Sequence, residues 1–336
     1  MKPQLKISIL GAGSWGTALA IVFQQNLHDV TIWSRSKNEV KKINGTRINL
    51  KYLPKVKIPD QIKITSDLDE ATRNKDVIFT VIPAQYLRSV LEKISFENIK
   101  NTIICNASKG IEIATLKTMS QVIRDCFPSI KIKKLAVLSG PSHAEEVCKQ
   151  IPTTIVVASY SRKNSKLLAQ SLSTPYFRIY VGDDVRGIEL GGSLKNVIAL
   201  AAGIIDGIGF GDNTKAALMT RGMSEISRLG IKLGALPRTF AGLSGMGDLI
   251  VTCMSKHSRN RFVGKEIGKG KKIKQILKNM NMVAEGVATS KSVYNLSKKY
   301  KIDMPISNEI YKILYEDKDC KQATYELMTR ALKNEY

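Results

Sequence analysis

Three glycines near the N-terminus are spaced in a way that has chemical consequences. Gly11, Gly13 and Gly16 follow the apolar run Leu5–Leu10 and precede residues of helical composition. In such a strand, turn and helix, the first glycine permits a tight turn and the second lets the backbone approach a pyrophosphate. The third allows the helix to pack closely on the strand, and the helix N-terminus offers N–H groups to phosphates. A glycine-rich turn without a ligand is the alternative, but the order of the elements favours dinucleotide binding.

The end of the second predicted strand bears on the choice of cofactor. Val30–Trp33 runs into Ser34, Arg35, Ser36 and Lys37, with no acidic residue. Folds that prefer NAD usually place an acidic residue there for the ribose 2′-hydroxyl, whereas an arginine can pair with the 2′-phosphate of NADP. Both NADP and NAD are therefore admissible, with NADP slightly favoured. The alternative is that Arg35 only packs beside the adenine.

Polar residues also follow two later strands. Lys109 comes after the apolar run Thr102–Cys105, and Ser142 comes after Leu135–Leu138. In an open α/β sheet the ligand lies outside the carboxyl ends of the strands, so both side chains are placed to face it. Taken alone, either residue fits an ordinary loop residue better than a ligand contact.

One lysine precedes a strongly apolar stretch. Lys195 stands next to Asn196–Ile205, near the start of a predicted helix. Desolvation there would lower its pKa and let it exchange a proton near neutrality. A solvated charge at a helix start is the ordinary alternative, and the local sequence by itself favours that alternative.

Eight segments carry a family resemblance that covers the chain from about Leu5 to about Leu332. They are ILGAGSWGTALA, NASKGIE, LSGPSHAEEV, ELGGSLKNVIALAAGIIDGIGFGDNTKAALMTRG, GLSGMGDLIVTC, HSRNR, VAEGVATS and MPISNEIY. In this order they resemble bacterial-type NAD(P)-dependent sn-glycerol-3-phosphate dehydrogenase, and GGSLKNVIA and SRNR are far more specific than the glycine motif. The resemblance implies reversible hydride transfer between NAD(P)H and dihydroxyacetone phosphate, giving sn-glycerol 3-phosphate for glycerophospholipid synthesis. It also makes a homodimer plausible.

The resemblance further implies a role for each matching residue. Lys195 would protonate the carbonyl oxygen of the substrate, and Asp248 would position this lysine and a substrate hydroxyl. The implied substrate-binding residues are Lys109, Gly140, Ser142, Lys195, Asp248, Ser258, Arg259 and Asn260, with the last three at the phosphate. The implied cofactor-binding residues are Gly11, Gly13, Ser14, Trp15, Gly16, Arg35, Lys109, Ala144, Arg259, Val283 and Glu285.

An α/β fold must position these residues. Apolar, β-rich runs occur at Leu5–Leu10, Val30–Trp33, Val77–Ile82, Thr102–Cys105, Leu135–Leu138, Thr153–Ala158 and Phe177–Val181. Segments that can form helices lie between most of them, including Thr17–Gln25, Ser36–Lys42, Gln85–Ile94 and Thr115–Cys126. This alternation predicts a Rossmann-type, doubly wound parallel sheet covered on both faces.

The character of the chain changes near residues 182–192. The segments with helical composition that follow are Leu194–Ile205, Lys215–Leu229, Pro237–Ala241, Arg261–Ile267, Lys274–Lys278, Gly286–Tyr300 and Pro305–Tyr315. We therefore predict a dinucleotide-binding domain over residues 1–188 and an all-α substrate and catalytic domain over residues 189–336.

Composition restricts the class of protein. The 336 residues are 43% hydrophobic and 24% charged, which is typical of a globular protein large enough for two cores. The net charge of +23 comes mostly from dispersed lysines, without a zinc-finger or RNA-binding signature, so we expect a solvated surface that attracts phosphorylated small molecules rather than nucleic acid. The five cysteines and three histidines show no metal-ligand spacing, and no metal is expected.

The compartment follows from the same features. Dispersed cysteines indicate free thiols in a reducing compartment. The longest apolar run, Val197–Ile205, is half the length of a membrane span, and the first strand leaves little room for a signal peptide. The sequence therefore predicts a cytoplasmic protein without integral membrane association.

Two other functions compete with this interpretation. One is a dehydrogenase of the same architecture that acts on a hydroxy acid or sugar acid, because fold does not determine substrate. The other is a non-catalytic dinucleotide sensor. The SRNR and GMGDL segments argue against the first, and the presence of both Lys195 and Asp248 argues against the second.

Overall fold

The computed structural model describes residues 3–280, 282–332 and 334–335. Within them the chain forms a large sheet with helices on both faces, followed by a helical region. The strands are β1 (Lys6–Leu10), β2 (Asp29–Trp33), β3 (Ile48–Asn49), β4 (Leu53–Lys57), β5 (Lys63–Thr65), β6 (Val77–Thr80), β7 (Ile103–Asn106), β8 (Leu135–Ser139), β9 (Thr153–Ser159) and β10 (Phe177–Gly182). Strands β3 and β4 form a separate antiparallel pair.

Helices on both faces bury the sheet. They are α1 (Ser14–Gln25), α2 (Lys37–Thr46), α3 (Leu68–Thr72), α4 (Ala84–Leu91), α5 (Phe96–Ile99), α6 (Met119–Cys126), α7 (Ala144–Val147) and α8 (Arg162–Leu172), with a 3-10 turn at Ile132–Lys134. On one face Phe23 of α1 packs on Phe79 of β6, with ring centroids 4.9 Å apart. On the other face Leu87 of α4 and Val122 of α6 are fully buried in a second core. Burial on both faces explains why the central strands are apolar throughout.

The order of the strands determines where a ligand crevice lies. The eight strands are arranged β10-β9-β8-β7-β6-β1-β2-β5. The six strands from β8 to β5 have the order of a doubly wound dinucleotide fold. The side of the sheet to which the chain adds strands changes between β1 and β6, which are themselves parallel. The predicted Rossmann-type sheet is therefore confirmed, and the glycine motif, which directly follows β1, lies at its switch point.

One pair of strands departs from the prediction of a parallel sheet. Strands β8 and β9 are antiparallel, whereas the other neighbours in the large sheet are parallel. A parallel connection needs a crossover that returns along the whole sheet, usually a long helix. The link between β8 and β9 contains only the four-residue helix α7, so β9 runs in the opposite direction.

The second half of the described chain is helical. Its helices are α9 (Val185–Ile208), α10 (Asp212–Lys232), α11 (Pro237–Phe240), α12 (Asp248–Met254), α13 (Arg259–Gly268), α14 (Ile273–Lys278), α15 (Glu285–Tyr300), α16 (Pro305–Tyr315) and α17 (Cys320–Met328), with a π-helical turn at Leu243–Gly247. The predicted all-α region is therefore confirmed. The sheet ends at Gly182 and α9 begins at Val185, and we keep the division between residues 188 and 189 as a proposal.

Helix α9 is the centre of this region. Helices α10, α12, α13, α15 and α16 pack around it. By length and composition α9 could cross a membrane, but its apolar window is entirely buried inside the protein, as in a core helix. Gly203 of α9 faces Gly264 of α13 so closely that a Cβ on Gly264 would overlap the backbone carbonyl of Leu200. This close crossing holds the N-terminus of α13 near the middle of α9.

Candidate active site

A cleft of about 830 Å³ lies at the switch point of the sheet. Residues of the glycine motif line one part of it, and residues of α9, α12 and α13 line another. The two halves of the chain therefore enclose one continuous cleft, which is where doubly wound folds bind their ligands.

The glycine motif fits a pyrophosphate. Gly11 has a φ of +125°, and a Cβ there would collide with the backbone of Val81. A Cβ on Gly13 would meet nothing within 4 Å, so this glycine borders open space. Gly13 is also the N-cap of α1 and supplies no side-chain cap, which leaves the first N–H groups of the helix to the cleft. The arrangement can hold the phosphates of a dinucleotide.

Lys195 lies in the middle of α9, ten residues after Val185, and it is only 5% exposed. The expectation that it stands near a helix start is wrong, and so is the local alternative of a solvated charge. Its Nζ donates to Asp248 Oδ1 and to Thr252 Oγ1, the latter at 2.6 Å. Burial lowers the pKa of Lys195 to about 7, an effect that the charge of Asp248 opposes and that of Lys109 reinforces.

Asp248 is a buried carboxylate between two lysines. It begins α12, is 1% exposed, and its Oδ2 accepts a hydrogen bond of 2.6 Å from Lys109 Nζ. Burial opposes ionisation, but the charges of Lys109 and Lys195 outweigh it and hold the pKa of Asp248 below its usual value. The carboxylate therefore stays ionised and fixes both ammonium groups.

Gly140 takes part in this cluster through its backbone. Its φ of +142° lies in the region that favours glycine, and its carbonyl accepts from Lys109 Nζ at 3.2 Å and from Ser142 Oγ at 3.0 Å. A side chain there would also press on Ile155 of β9. Gly140 therefore joins the loops that follow β7 and β8.

The N-terminus of α13 forms the neighbouring wall. Ser258 caps this helix by accepting from the Arg261 N–H at 3.2 Å, and the Arg259 side chain is exposed in the cleft. Asn260 Nδ2 donates to Asn196 Oδ1 at 2.9 Å, which ties the helix start to α9. A helix N-terminus with an arginine is well suited to bind a phosphate.

The opposite end of the cleft carries Arg35. Its guanidinium lies 5.5 Å from the ring centroid of Tyr86, and both residues line the cleft. Nearby, Lys51 Nζ donates to Glu39 Oε1 at 2.9 Å. This end therefore presents a guanidinium beside an aromatic ring, which suits the adenosine part of a dinucleotide.

Comparison with known proteins decides the family. The model of the NAD-dependent glycerol-3-phosphate dehydrogenase N-terminus matches residues 6–165, and the model of its C-terminus matches residues 184–325. The chain belongs to the NAD-dependent glycerol-3-phosphate dehydrogenase family.

Individual relatives agree over the full length. The glycerol-3-phosphate dehydrogenase [NAD(P)+] of Thermoanaerobacter sp. (strain X514) is 53% identical over 98% of this chain and 99% of the relative. That of Chlorobium phaeobacteroides (strain BS1) is 46% identical over 98% and 99%. A crystal structure of glycerol-3-phosphate dehydrogenase from Coxiella burnetii superposes with a TM-score of 0.92 at 36% identity, covering 97% of this chain and 99% of that one. The resemblance read from the sequence is confirmed.

The structure of this family member brings most of the predicted site residues to one cleft. The lining includes Gly11, Gly13, Ser14, Trp15, Gly16, Arg35, Lys109, Ser142, Lys195, Asp248, Ser258, Arg259, Asn260, Val283 and Glu285. Gly140 and Ala144 do not line it: Gly140 contributes its carbonyl from behind, and Ala144 is buried at the start of α7. The roles of all these residues stay predictions.

Glu285 connects the two halves of the cleft. Its Oε1 accepts from the Ala84 N–H at the start of α4, at 3.0 Å. Burial raises the pKa of Glu285 to about 7, against the opposing effects of the Ala84 N–H and the Arg259 charge. The predicted cofactor residue is therefore also a contact between the helical region and the sheet.

Sequence reasoning missed two contacts of the family's site. Thr252 accepts from Lys195 and donates to the Asp248 carbonyl at 2.6 Å. Asn196 accepts from Asn260. The only signals in the sequence were spacing: Thr252 is four residues after Asp248 on one helix face, and Asn196 adjoins Lys195.

Proposed function

We propose that this chain catalyses the reversible, NAD(P)-dependent reduction of dihydroxyacetone phosphate to sn-glycerol 3-phosphate, which serves glycerophospholipid synthesis. The observation that carries this proposal is the cluster of buried Lys195 and Asp248 with partly buried Lys109, beside the N-terminus of α13. A proton donor and a phosphate site lie next to each other in it. The family relationship supports the same reaction.

The acid in this reaction is Lys195. A bound nicotinamide cofactor supplies the hydride that reduces the ketone. As negative charge develops on the ketone oxygen, the Lys195 ammonium stabilises it and transfers a proton to it. Because its pKa is about 7, Lys195 can give the proton in reduction and take it back in oxidation. Asp248 and Thr252 hold the Lys195 Nζ in place.

The substrate phosphate orients the ketone. Ser258, Arg259 and Asn260 at the start of α13 would bind it, while Lys109 and Ser142 would complete the substrate pocket. Binding energy from the non-reacting phosphate then serves to place the carbonyl beside Lys195.

The cellular setting belongs to the same proposal. A cytoplasmic location is supported by the five cysteines, all of them free thiols. We also propose that the protein is a homodimer, that it does not bind nucleic acid and that it has no integral membrane association. Sedimentation of the purified protein would measure the assembly state.

The reaction is tested by following absorbance at 340 nm with NADPH and dihydroxyacetone phosphate. We expect rapid oxidation of NADPH, and reduction of NADP⁺ when sn-glycerol 3-phosphate is supplied. Oxidation of NADPH by a panel of 2-keto acids, or reduction of NADP⁺ by a panel of sugar acids, without turnover of dihydroxyacetone phosphate, would assign the chain to the rival dehydrogenase class. Binding of NADPH without any turnover would favour the sensor.

Arg35 offers a test of cofactor choice. Replacing its guanidinium, Arg35→Gln, removes the cation available to a 2′-phosphate. Since a charge-assisted hydrogen bond contributes about 1.5–3 kcal/mol, we expect KM for NADPH to rise by about 10-fold or more. KM for NADH should change by less than about 3-fold. Steady-state kinetics with both cofactors measures the ratio, and an equal loss for the two would mean that Arg35 only packs against the adenine.

A further inference from the structure

Glu189 is a buried carboxylate on the same helix as Lys195, but it lies outside the cleft. It is 4% exposed. Its Oε1 accepts from Asn106 Nδ2 at 3.0 Å and from the Ser120 N–H at 2.8 Å, and its Oε2 accepts from Ser120 Oγ at 2.6 Å. All three donors belong to the sheet half of the chain. Burying a carboxylate is costly unless it is hydrogen-bonded. The three hydrogen bonds from the sheet half therefore fix the position of Glu189.

Asn106 connects Glu189 to the loop that carries Lys109. Its Nδ2 also donates to the Ser108 carbonyl at 3.0 Å, and its Oδ1 accepts from the Ser108 N–H at 3.0 Å. Both contacts fix the backbone directly before Lys109. Directly after Lys109, the Gly110 carbonyl lies 3.2 Å from Ser193 Oγ of α9, a hydroxyl whose proton is shared with the Glu189 carbonyl at 2.8 Å. Helix α9 therefore holds the loop on both sides of Lys109.

The loop needs such support. Strand β7 ends at Asn106, and residues 107–110 form no regular element. A lysine side chain has many rotamers, so the position of its ammonium depends on a fixed backbone. Yet Lys109 Nζ lies 2.6 Å from Asp248 Oδ2, within the cluster that contains Lys195. One helix can align both ammonium groups: Lys195 directly and Lys109 through the loop.

We propose that Glu189 is a positioning residue: it fixes the Asn106–Gly110 loop on α9 and thereby sets the Lys109 ammonium beside Asp248. This role rests on the proposed function, because its readout is turnover of dihydroxyacetone phosphate. Glu189 touches neither substrate nor cofactor. In this proposal its effect on catalysis passes through Lys109.

A conservative variant separates geometry from charge. In Glu189→Gln the amide oxygen can accept from Asn106 and from the Ser120 N–H, while the amide NH₂ donates to Ser120 Oγ, which can also accept. The hydrogen-bonding pattern survives without the negative charge. Glu189→Ala removes the pattern and leaves Asn106 Nδ2 with the Ser108 carbonyl alone.

Glu225 provides a matched control. It is also a buried carboxylate, and it accepts from the N–H groups of Ile306 and Ser307 and from Ser307 Oγ, at 2.6–3.1 Å. These contacts cap α16, away from the Lys109 loop. Glu225→Ala should lower Tm but leave kcat/KM for dihydroxyacetone phosphate within about 3-fold of wild type.

The experiment is a double-mutant cycle between Glu189 and Lys109, read as kcat/KM for dihydroxyacetone phosphate at saturating NADPH. We expect Glu189→Ala to lose about 10–100-fold, as displacement of a reacting group by about 1 Å does. Glu189→Gln should stay within about 3-fold of wild type. In the Lys109→Ala background, Glu189→Ala should cost less than about 2-fold further, because the group that it positions is already gone.

Several results would overturn the proposal. If the loss of kcat/KM in the double variant equals the product of the losses in Glu189→Ala and Lys109→Ala, Glu189 acts independently of Lys109. A Gln variant as impaired as the Ala variant would show that geometry is not what matters. If Glu189→Ala does not fold, Ser120→Ala removes one hydrogen bond to Glu189, and its smaller loss must likewise vanish in the Lys109→Ala background. A wild type without turnover would overturn both this role and the proposed function, whereas multiplying losses in an active enzyme overturn this role alone.

Discussion

Lys195→Ala should reduce the rate of dihydroxyacetone phosphate reduction by about 10⁴-fold or more. The variant loses the proton donor, which contributes about 10²–10⁴-fold to the rate. It also loses the cation that stabilises the developing oxyanion, and removing one such donor costs about 10²–10³-fold. The side chain is buried against Asp248 and Thr252, and the alanine leaves both without the Lys195 ammonium. The rate of NADPH oxidation in single-turnover and steady-state assays measures the loss.

The same variant should keep its cofactor. The glycine motif and α1, which fit the pyrophosphate, lie on the other side of the cleft, so the Kd for NADPH from fluorescence titration should change by less than about 3-fold. Lys232→Ala, which removes an exposed lysine at the end of α10, is the control and should be fully active. A Lys195→Ala enzyme that retained a tenth of wild-type activity would assign the proton transfer to another group, with Lys109 the nearest candidate.

The position of Lys195 also shows where sequence reasoning failed. Gly191 and Gly192 precede it, and paired glycines normally suggest the end of a helix or a loop. In the structure both lie inside α9. A Cβ on Gly191 would press on the backbone of Ser244, and one on Gly192 would press on Ser139. The glycines therefore mark close packing of α9 against its neighbours, which sequence periodicity cannot distinguish from a break.

Other parts of the fold were more readily predicted. The apolar strands β1, β6 and β8 were found because both of their faces are buried, which leaves a continuous apolar run. Strand β5, three residues with an exposed lysine, carries no such signal and was missed. The antiparallel direction of β9 was missed as well, since direction depends on the connection and not on the strand.

The site was predictable to the extent that its residues stand at strand ends or in family segments. The loops after β7 and β8 were expected at the ligand edge of the sheet, and Lys109 and Ser142 of these loops line the cleft. The contacts between the two halves were not predictable. Asn106 and Glu189 are 83 residues apart, and no local pattern connects an asparagine at a strand end with a glutamate in a buried helix. Such pairs depend on how the helical region docks on the sheet.

Asp248→Asn should impair reduction in a way that depends on pH. The Asp248 carboxylate is what opposes the effect of burial on Lys195, so its removal lowers the pKa of Lys195 further below about 7. An opposite charge at this range shifts a pKa by about 1–3 units. At pH 8 the protonated fraction of Lys195, and with it kcat/KM for reduction, should therefore fall by about 10–1000-fold.

The sign of this effect distinguishes it from a loss of structure. Reduction needs protonated Lys195, so the wild-type rate falls as pH rises through about 7, and in the Asp248→Asn enzyme the same fall should occur at lower pH. The deficit measured at pH 8 should accordingly shrink as the assay approaches pH 6. Asp183→Asn, which breaks an exposed ion pair with Arg238, should leave the profile unchanged. A deficit that is equal at every pH would mean that Asp248 positions the substrate without tuning Lys195, because a change in protonation cannot be independent of pH.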